Sequence, residues 1–530
     1  MLKAIKINPK DNVAVVPQNV EAGQTVQVVE TSEVFTATEF IKAGHKMALS
    51  DFQKDDTVIK YGIPIGKMKL DAPKGSWIHC HNVEDITAQL CSGYCEQYRK
   101  RPAEQCGQAA GVQEAEKKPS RTILAYPRSN GEFGISNYLM VFPTFLGANP
   151  MAEAVAKRTG CVWMVCDKRQ LEQDRISEFT KLVITGNAKN PNIYAAMLLG
   201  RAEEREMNLS LVAEIEKTGK QVRYIEIQPG LCQKTLEELV RIVQLWQQEI
   251  GALKREPVSM AGFTMAIHCG GSDWTTALSG NPTLGVASDL IVEQGGYVIM
   301  DEWGGLPGSE HILANSAVSK QVGLELLDKV QATRDRFLQH TGQPVEASNP
   351  IPANKEGGIT TLVEKSTGNI EKAGSSPLQG ILKVGARPTT PGVYVQDEPC
   401  NGPSATAVYA AMAGCHLNVF VTGVGFIYFE VPHMLSVRMT GNPETFQNEA
   451  YKLDFDAGIV IQGTPLQEAG RQLFEYLIAV AEGREVPKSE KEKLNTFCFY
   501  YYDISDEEIP YQTVDNYVEE MKKMEMERKQ

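Results

Sequence analysis

An α/β chain in three folded parts is the architecture this sequence predicts: a small β-rich N-terminal domain, a doubly wound parallel α/β domain and a C-terminal α/β domain. Two patterns predict it. Up to Val83, short apolar alternations are broken by Gly, Pro and Asp turns, the pattern of short strands. From Arg121 onward, strand-like apolar runs alternate with stretches of helical periodicity, which reads as a parallel sheet wound with helices. The expected boundaries are 1–88, a linker over 89–120, 121–255, 256–490 and a tail over 491–530.

In the first part the expected strands are Asn12–Val16, Thr25–Val29, Thr57–Tyr61 and Trp77–His81. On a strand, His79 and His81 share one face. Two imidazoles on one face can relay protons or bind a metal, or simply sit at the surface. Gly44-His45-Lys46 places a base and a cation in a loop. The polar linker carries Cys91, Cys95 and Cys106, which read as free thiols or, for Cys91 and Cys95 with His79 and His81, as zinc donors without the usual Cys-x-x-Cys pair.

The middle part reads as strands Tyr138–Phe142, Val162–Cys166, Tyr194–Leu199 and Val222–Ile227 with helices Met151–Arg158, Leu209–Lys217 and Gln233–Leu253. The third part begins with a strand, Phe263–Ile267, that delivers His268, Cys269, Gly270, Gly271, Ser272 and Asp273 in a row. A strand end followed by a Gly-rich turn is where α/β proteins place their sites, although a capped turn has the same composition. A helix Leu284–Gln294 and a strand Tyr297–Met300 follow. They lead to Asp301-Glu302, two acids suited to a cation, a general base or a cap. Lys320–His340 reads as an amphipathic helix. Asn349–Leu362 reads as an irregular loop, with Asn354, Lys355, Thr360 and Thr361 as donors for a polyhydroxy acid. Strands Leu382–Val384, Val393–Val395 and Leu417–Thr422, a helix Ser404–Gly414 and a helix containing Leu473–Glu482 complete the part.

Composition excludes several classes. A net charge of −13, from 53 basic and 66 acidic side chains over 530 residues, argues against general nucleic-acid binding. A locally positive site for an anionic substrate stays compatible with it. No apolar run approaches the roughly 18–20 residues of a membrane span, and MLKAIKINPKDN lacks a signal-peptide pattern. A cytoplasmic chain with reduced thiols and no membrane partner is therefore expected. No GxGxxG or Walker A string occurs, so no nucleotide cofactor is expected.

Taken together, the motifs resemble the altronate/galactarate dehydratase family over nearly the whole chain. An N-terminal SAF-like domain matches through Gly44-His45-Lys46-Met47-Ala48-Leu49, Ile59-Lys60-Tyr61-Gly62 and Trp77-Ile78-His79-Cys80-His81-Asn82. The C-terminal domain matches through Cys269-Gly270-Gly271-Ser272-Asp273, Asn281-Pro282, Asn354-Lys355, Gly357-Gly358-Ile359-Thr360-Thr361-Leu362 and Lys365-Ser366. The resemblance implies a hydro-lyase that removes water from a sugar acid, giving a 2-keto-3-deoxy acid, in a homo-oligomer with a divalent metal, Fe2+ or Mn2+. Related readings are a lyase for another small hydroxy acid of the sulfolactate type, and a non-catalytic binding protein on the same scaffold. It implies His45, Lys46, His79 and His81 as catalytic, with Ser272, Asn281, Asn354, Lys355, Thr360 and Thr361 on the substrate. Cys269, Asp273 and Glu302 form the implied metal neighbourhood.

The chain also departs from the family pattern. A His-x-x-Gly-Cys string is absent after Cys166, Gly368 is followed by Asn369 instead of cysteine, and a Thr-Gly-Arg-Gly-Thr loop reads Thr422-Gly423-Val424-Gly425-Phe426.

Overall fold

The computed structural model describes residues 1–103, 120–166, 171–172, 175–230, 232–301, 303–397, 403–426 and 430–492. Glu302, Cys106 and almost all of the 491–530 tail lie outside them.

The N-terminal domain holds three small sheets, as its punctuated strands predict. The middle one pairs Val13–Val15 with Lys46–Ala48, and the latter with Trp77–Ile78. Side chains alternate across it. Ala14 and Met47 therefore enter one core with Val26, Val28 and Phe35, while Val13 and Ala48 enter another with Val58, Ile65 and Ile78. The second core also takes in Val363 from the C-terminal domain, so the two domains share apolar packing. The hairpin Thr57–Lys60/Ile63–Met68 turns at Tyr61 and Gly62, both at positive φ (59° and 77°), the twist a two-residue hairpin turn demands. That turn sets Lys60 at the end of its strand.

Two expectations fail here. The strand read over Trp77–His81 stops at Ile78, because His79 begins a turn: the N–H groups of Asn82 and Val83 both donate to its carbonyl (3.0 and 2.9 Å). His79 and His81 thus do not share a strand face. The first part of the expected linker is a helix, Thr87–Lys100, that buries Cys91 and Tyr98. The Tyr98 hydroxyl donates to the Ala314 carbonyl at 2.9 Å, tying that helix to the C-terminal domain.

The middle domain is a four-stranded parallel sheet in the order Val162–Trp163, Tyr138–Pro143, Ile193–Gly200, Gln221–Glu226. Alternate residues feed opposite faces. Val141, Ala195 and Met197 pack on the helices Asn149–Thr159 and Gln233–Ala252, whereas Met140, Phe142 and Ala196 pack with Glu178–Ala188 and Arg205–Glu216. This is the doubly wound arrangement the sequence predicts.

The C-terminal domain is a seven-stranded parallel sheet. Its order is Leu378–Leu382, Gly392–Gln396, Tyr297–Met300, Thr264–Cys269, Leu417–Thr422, Leu435–Thr440 and Phe455–Asp456. The chain starts in the centre at Thr264–Cys269, builds outward on one side, then returns to the other side at Leu417. Strand order therefore reverses between these two strands, and the crevice beyond their carboxyl ends is the natural ligand position. The turn Gly270–Asp273 lies there. The expected loop Asn349–Leu362 is instead a short helix, Pro352–Glu356, leading into a buried helix, Leu362–Ile370. No helix among the described residues is long and apolar enough to cross a membrane.

Candidate active site

The N-terminal domain docks on this crevice through two glycine turns. Gly44 has φ +83°, and a Cβ there would lie 2.1 Å from the Trp274 ring. Gly358 has φ +90°, and its Cβ would lie 2.1 Å from the Gly44 carbonyl. Only glycine lets these backbones meet. The docking carries His45, Lys46 and the turn at His79 onto the segment Glu356–Glu364.

Beneath the contact sits a buried charge network. Lys46 Nζ donates to both Glu364 oxygens (2.9 and 3.0 Å) and to the Gly358 carbonyl (2.7 Å). Lys60 Nζ donates to Glu364 Oε1 at 2.7 Å, and the Thr360 N–H to Oε2 at 2.8 Å. All three side chains are at most 2% exposed. Burial favours the neutral acid at Glu364, but the two ammonium charges outweigh it and hold the carboxyl at about 2. Burial, with Lys60 alongside, pushes Lys46 down to about 8, while Glu364 outweighs burial at Lys60 and raises it. Two cations share one carboxylate, so the network carries a net charge of +1. Lys46, expected as a catalytic residue, thus has its ammonium on the protein's own Glu364 carboxylate.

The histidines divide by what fills their nitrogens. The Trp77 indole N–H donates to His45 Nδ1 at 3.1 Å, so that nitrogen is unprotonated; Nε2–H donates to the Glu356 carbonyl at 3.1 Å. Both nitrogens of His45 are thus filled, Nδ1 within its own domain and Nε2 across to the C-terminal domain. His79 stacks on Trp77 and meets Thr360 Oγ1 through Nδ1 (3.3 Å), while Nε2 has no hydrogen bond among the described residues. Burial, and then the charge of Lys46, lower His79 to about 3, so it is neutral at any working pH. His81 is exposed, with its ring tilted against Trp77, and partial burial lowers it too.

Several expected substrate residues are committed to structure. Asn354 Nδ2 donates to the Ser272 carbonyl (2.9 Å), Asn281 Nδ2 to the Gly368 carbonyl (2.6 Å) and Thr361 Oγ1 to the Ile65 carbonyl (2.6 Å). Lys355 differs: its ammonium has no hydrogen-bond or ion-pair partner among the described residues, and its charge acts on the neighbouring Cys80 thiol. Ser272 Oγ lies 2.8 Å from Cys269 Sγ.

The described donors do not fit a divalent metal at the expected place. Asp273 Oδ1 accepts from Thr275 N (2.9 Å), Thr275 Oγ1 (2.5 Å) and Thr276 N (3.2 Å), and Oδ2 from Asn442 Nδ2 (3.0 Å). That carboxylate caps a turn. Among the described residues no three His, Cys, Asp or Glu groups converge as ligands. This includes Cys91 and Cys95, whose neighbour is Glu310. A separate cleft of about 190 Å³ opens at the amino ends of the strands, but its polar groups are paired: Arg387 with Glu132, and His416 with Thr264 N and the Phe133 carbonyl.

Glu364, Lys60 and Trp274 are the participants that sequence reasoning missed. Glu364 stands three residues after Thr361, a spacing that reads as a helix-capping box and so conceals its other role.

A β-rich domain closed over the switch point of a parallel α/β sheet, with imidazoles and buried cations between them, is the setting in which the candidate residues meet. Known proteins match the chain in sequence over most of its length. Residues 2–86 match the altronate/galactarate dehydratase SAF domain, 125–251 the second domain of D-galactarate dehydratase/altronate hydrolase, and 260–504 the D-galactarate/altronate dehydratase C-terminal domain. The chain belongs to the altronate/galactarate dehydratase family. It is 30% identical to altronate dehydratase of Escherichia coli (strain K12) over 501 residues, covering 91% of this chain and 96% of that one. It is 29% identical to altronate dehydratase of Bacillus subtilis (strain 168), covering 92% and 96%. It is also 32% identical to the (2R)-sulfolactate sulfo-lyase subunit beta of Chromohalobacter salexigens over 373 residues, covering 69% and 93%.

Proposed function

We propose that this chain is a hydro-lyase that dehydrates a sugar acid such as altronate or galactarate to a 2-keto-3-deoxy acid, between the N-terminal domain and the sheet edge. The observation that carries this reading is the net positive Lys46–Lys60–Glu364 network buried directly behind His79 and Thr360. Buried charge favours an opposite charge nearby. Removing the proton α to a carboxylate builds negative charge on that carboxylate, and a fixed positive field lowers the cost. Lys355 is the free cation for the carboxylate itself, and His79 Nε2 the neutral partner for a substrate hydroxyl. No step is drawn through a metal.

The dehydratase relatives support a sugar acid. The sulfo-lyase relative supports a shorter hydroxy acid as the second reading, and one feature favours it. Val424 and Phe426, 43% and 53% exposed, lie against Gly271 in the crevice, offering an apolar surface to a ligand with few hydroxyls. The test is a screen of the full chain, with and without added Fe2+ or Mn2+, against hexonates, hexarates and small hydroxy acids for 2-keto acid release. Turnover that collapses in K355M supports the reading. No turnover of any acid under either condition removes it.

A further inference from the structure

The inter-domain cluster lacks a competent base: His45 has both nitrogens filled, Lys46 is held on Glu364 and the Gly358 carbonyl, and His79 at about 3 holds a proton too weakly. A general base works best with a pKa near the operating pH. We infer that His268, oriented by Asp301, is the base that takes the α-proton. This rests on the hydro-lyase reading above.

His268 lies at the carboxyl end of the central strand Thr264–Cys269, and Asp301 directly follows the adjacent strand Tyr297–Met300. The register Ile267↔Met300 brings the two residues level at the ligand-bearing edge of the sheet. His268 Nδ1 is hydrogen-bonded to Asp301 Oδ2. A carboxylate only accepts, so Nδ1 carries a proton, and in the neutral ring Nε2 presents a lone pair. The Phe420 ring stacks on the imidazole with centroids 4.7 Å apart and fixes its plane. Both residues are about as buried as a side chain can be (2% exposed), yet among the described residues His268 Nε2 and Asp301 Oδ1 have no hydrogen-bond partner. A buried polar atom left unpaired is destabilising, and buried His416 by contrast fills both its nitrogens. A ring nitrogen aimed by a carboxylate and left without a hydrogen-bond partner among the described residues is the arrangement proton abstraction needs.

In the step, Nε2 takes the α-proton as the C–H bond breaks, and that electron pair moves onto the carboxylate as an enediolate. The pair then forms the Cα=Cβ bond of the enol as the C–O bond to the β-hydroxyl breaks, and the imidazolium returns its proton to the hydroxyl, which leaves as water. The enol ketonises, so no oxidant or co-reactant is needed. His268 would touch the substrate; Asp301 is a positioning residue.

The experiment uses the full chain and the acid it turns over best. In H268Q, kcat should fall by about 10²-fold or more, with KM within about threefold, and exchange of the α-proton into D2O should stop. Imidazole should restore part of the activity of H268A. D301N should lose at least about tenfold in kcat at unchanged KM, and D301E should recover part of it. H268Q that keeps kcat within about threefold, or keeps α-proton exchange, overturns the assignment while the hydro-lyase reading stands. If H268Q does not fold, D301N with wild-type kcat overturns it instead. A wild-type chain inactive on every acid removes the hydro-lyase reading first and this base with it.

Discussion

Replacing Glu364 with glutamine removes the carboxylate that Lys46 and Lys60 share, at a contact between chain segments more than 300 residues apart. The magnitude follows from two routes. The carboxyl is held at about 2 instead of its usual 4.5. That difference corresponds to about 3 kcal/mol. Breaking a buried pair and leaving its cations uncompensated costs about 3–5 kcal/mol. E364Q should therefore destabilise the docked N-terminal domain by about 3–4 kcal/mol at pH 7, a large share of a typical domain's stability. Urea unfolding followed by tryptophan fluorescence reads this, because Trp77 and Trp274 both lie at the contact. The pH dependence supplies a second reading. The folded carboxyl titrates below the unfolded one, so the unfolded chain binds the extra proton. The stabilisation is complete above about pH 4.5 and is lost as pH falls towards about 2. The gap between wild type and E364Q should narrow over that window. A K46M/K60M/E364L triple variant of similar volume should return to within about 2 kcal/mol of wild type. A cost below about 1 kcal/mol for E364Q at pH 7, or a gap that stays constant on acidification, would refute the shared-carboxylate argument.

Gly44→Ala combines a positive φ with a Cβ driven into the Trp274 ring, so it should cost about 2 kcal/mol or more and shift Trp274 emission; unchanged stability and emission would show that the domains do not meet there. His45→Ala leaves the Trp77 N–H and the Glu356 carbonyl without partners, for about 1–3 kcal/mol in urea unfolding. Its kcat should stay within about tenfold of wild type, whereas His79→Gln, which removes the partner proposed for a substrate hydroxyl, should lose more than that; the opposite ranking would return the chemistry to His45. Asp273→Asn weakens a charge-assisted turn cap and should cost about 1–2 kcal/mol. Bound metal per chain, measured by elemental analysis, should be the same in D273N and wild type, and a selective loss in D273N would make that carboxylate a ligand after all.

Much of the fold was legible because hydrophobic periodicity is a local property. Runs such as Tyr138–Phe142 and Leu417–Thr422 announce strands buried on both faces, and Leu236, Leu239, Val240 and Val243 announce one face of a helix. The turn after Phe263–Ile267 was legible for the same reason: glycines after an apolar run leave few other structures. Local reading failed where a feature depends on a distant partner. His79 and His81 looked like strand neighbours, yet hydrogen bonds from Asn82 and Val83 end the strand at Ile78. The segment Gln89–Lys100 looked like linker because its charged face outweighs its few buried positions, and only docking against the C-terminal domain shows why Cys91 and Tyr98 are apolar anchors. The sequence by itself determined the layered α/β scaffold and the strand end at which a site belongs. Tertiary structure alone decided which polar groups are free there. It closed Lys46 onto Glu364 and His45 onto Trp77 and Glu356, and it set His268 against Asp301, because ion pairs and orphaned nitrogens are properties of surfaces brought together and leave no periodic trace in the chain.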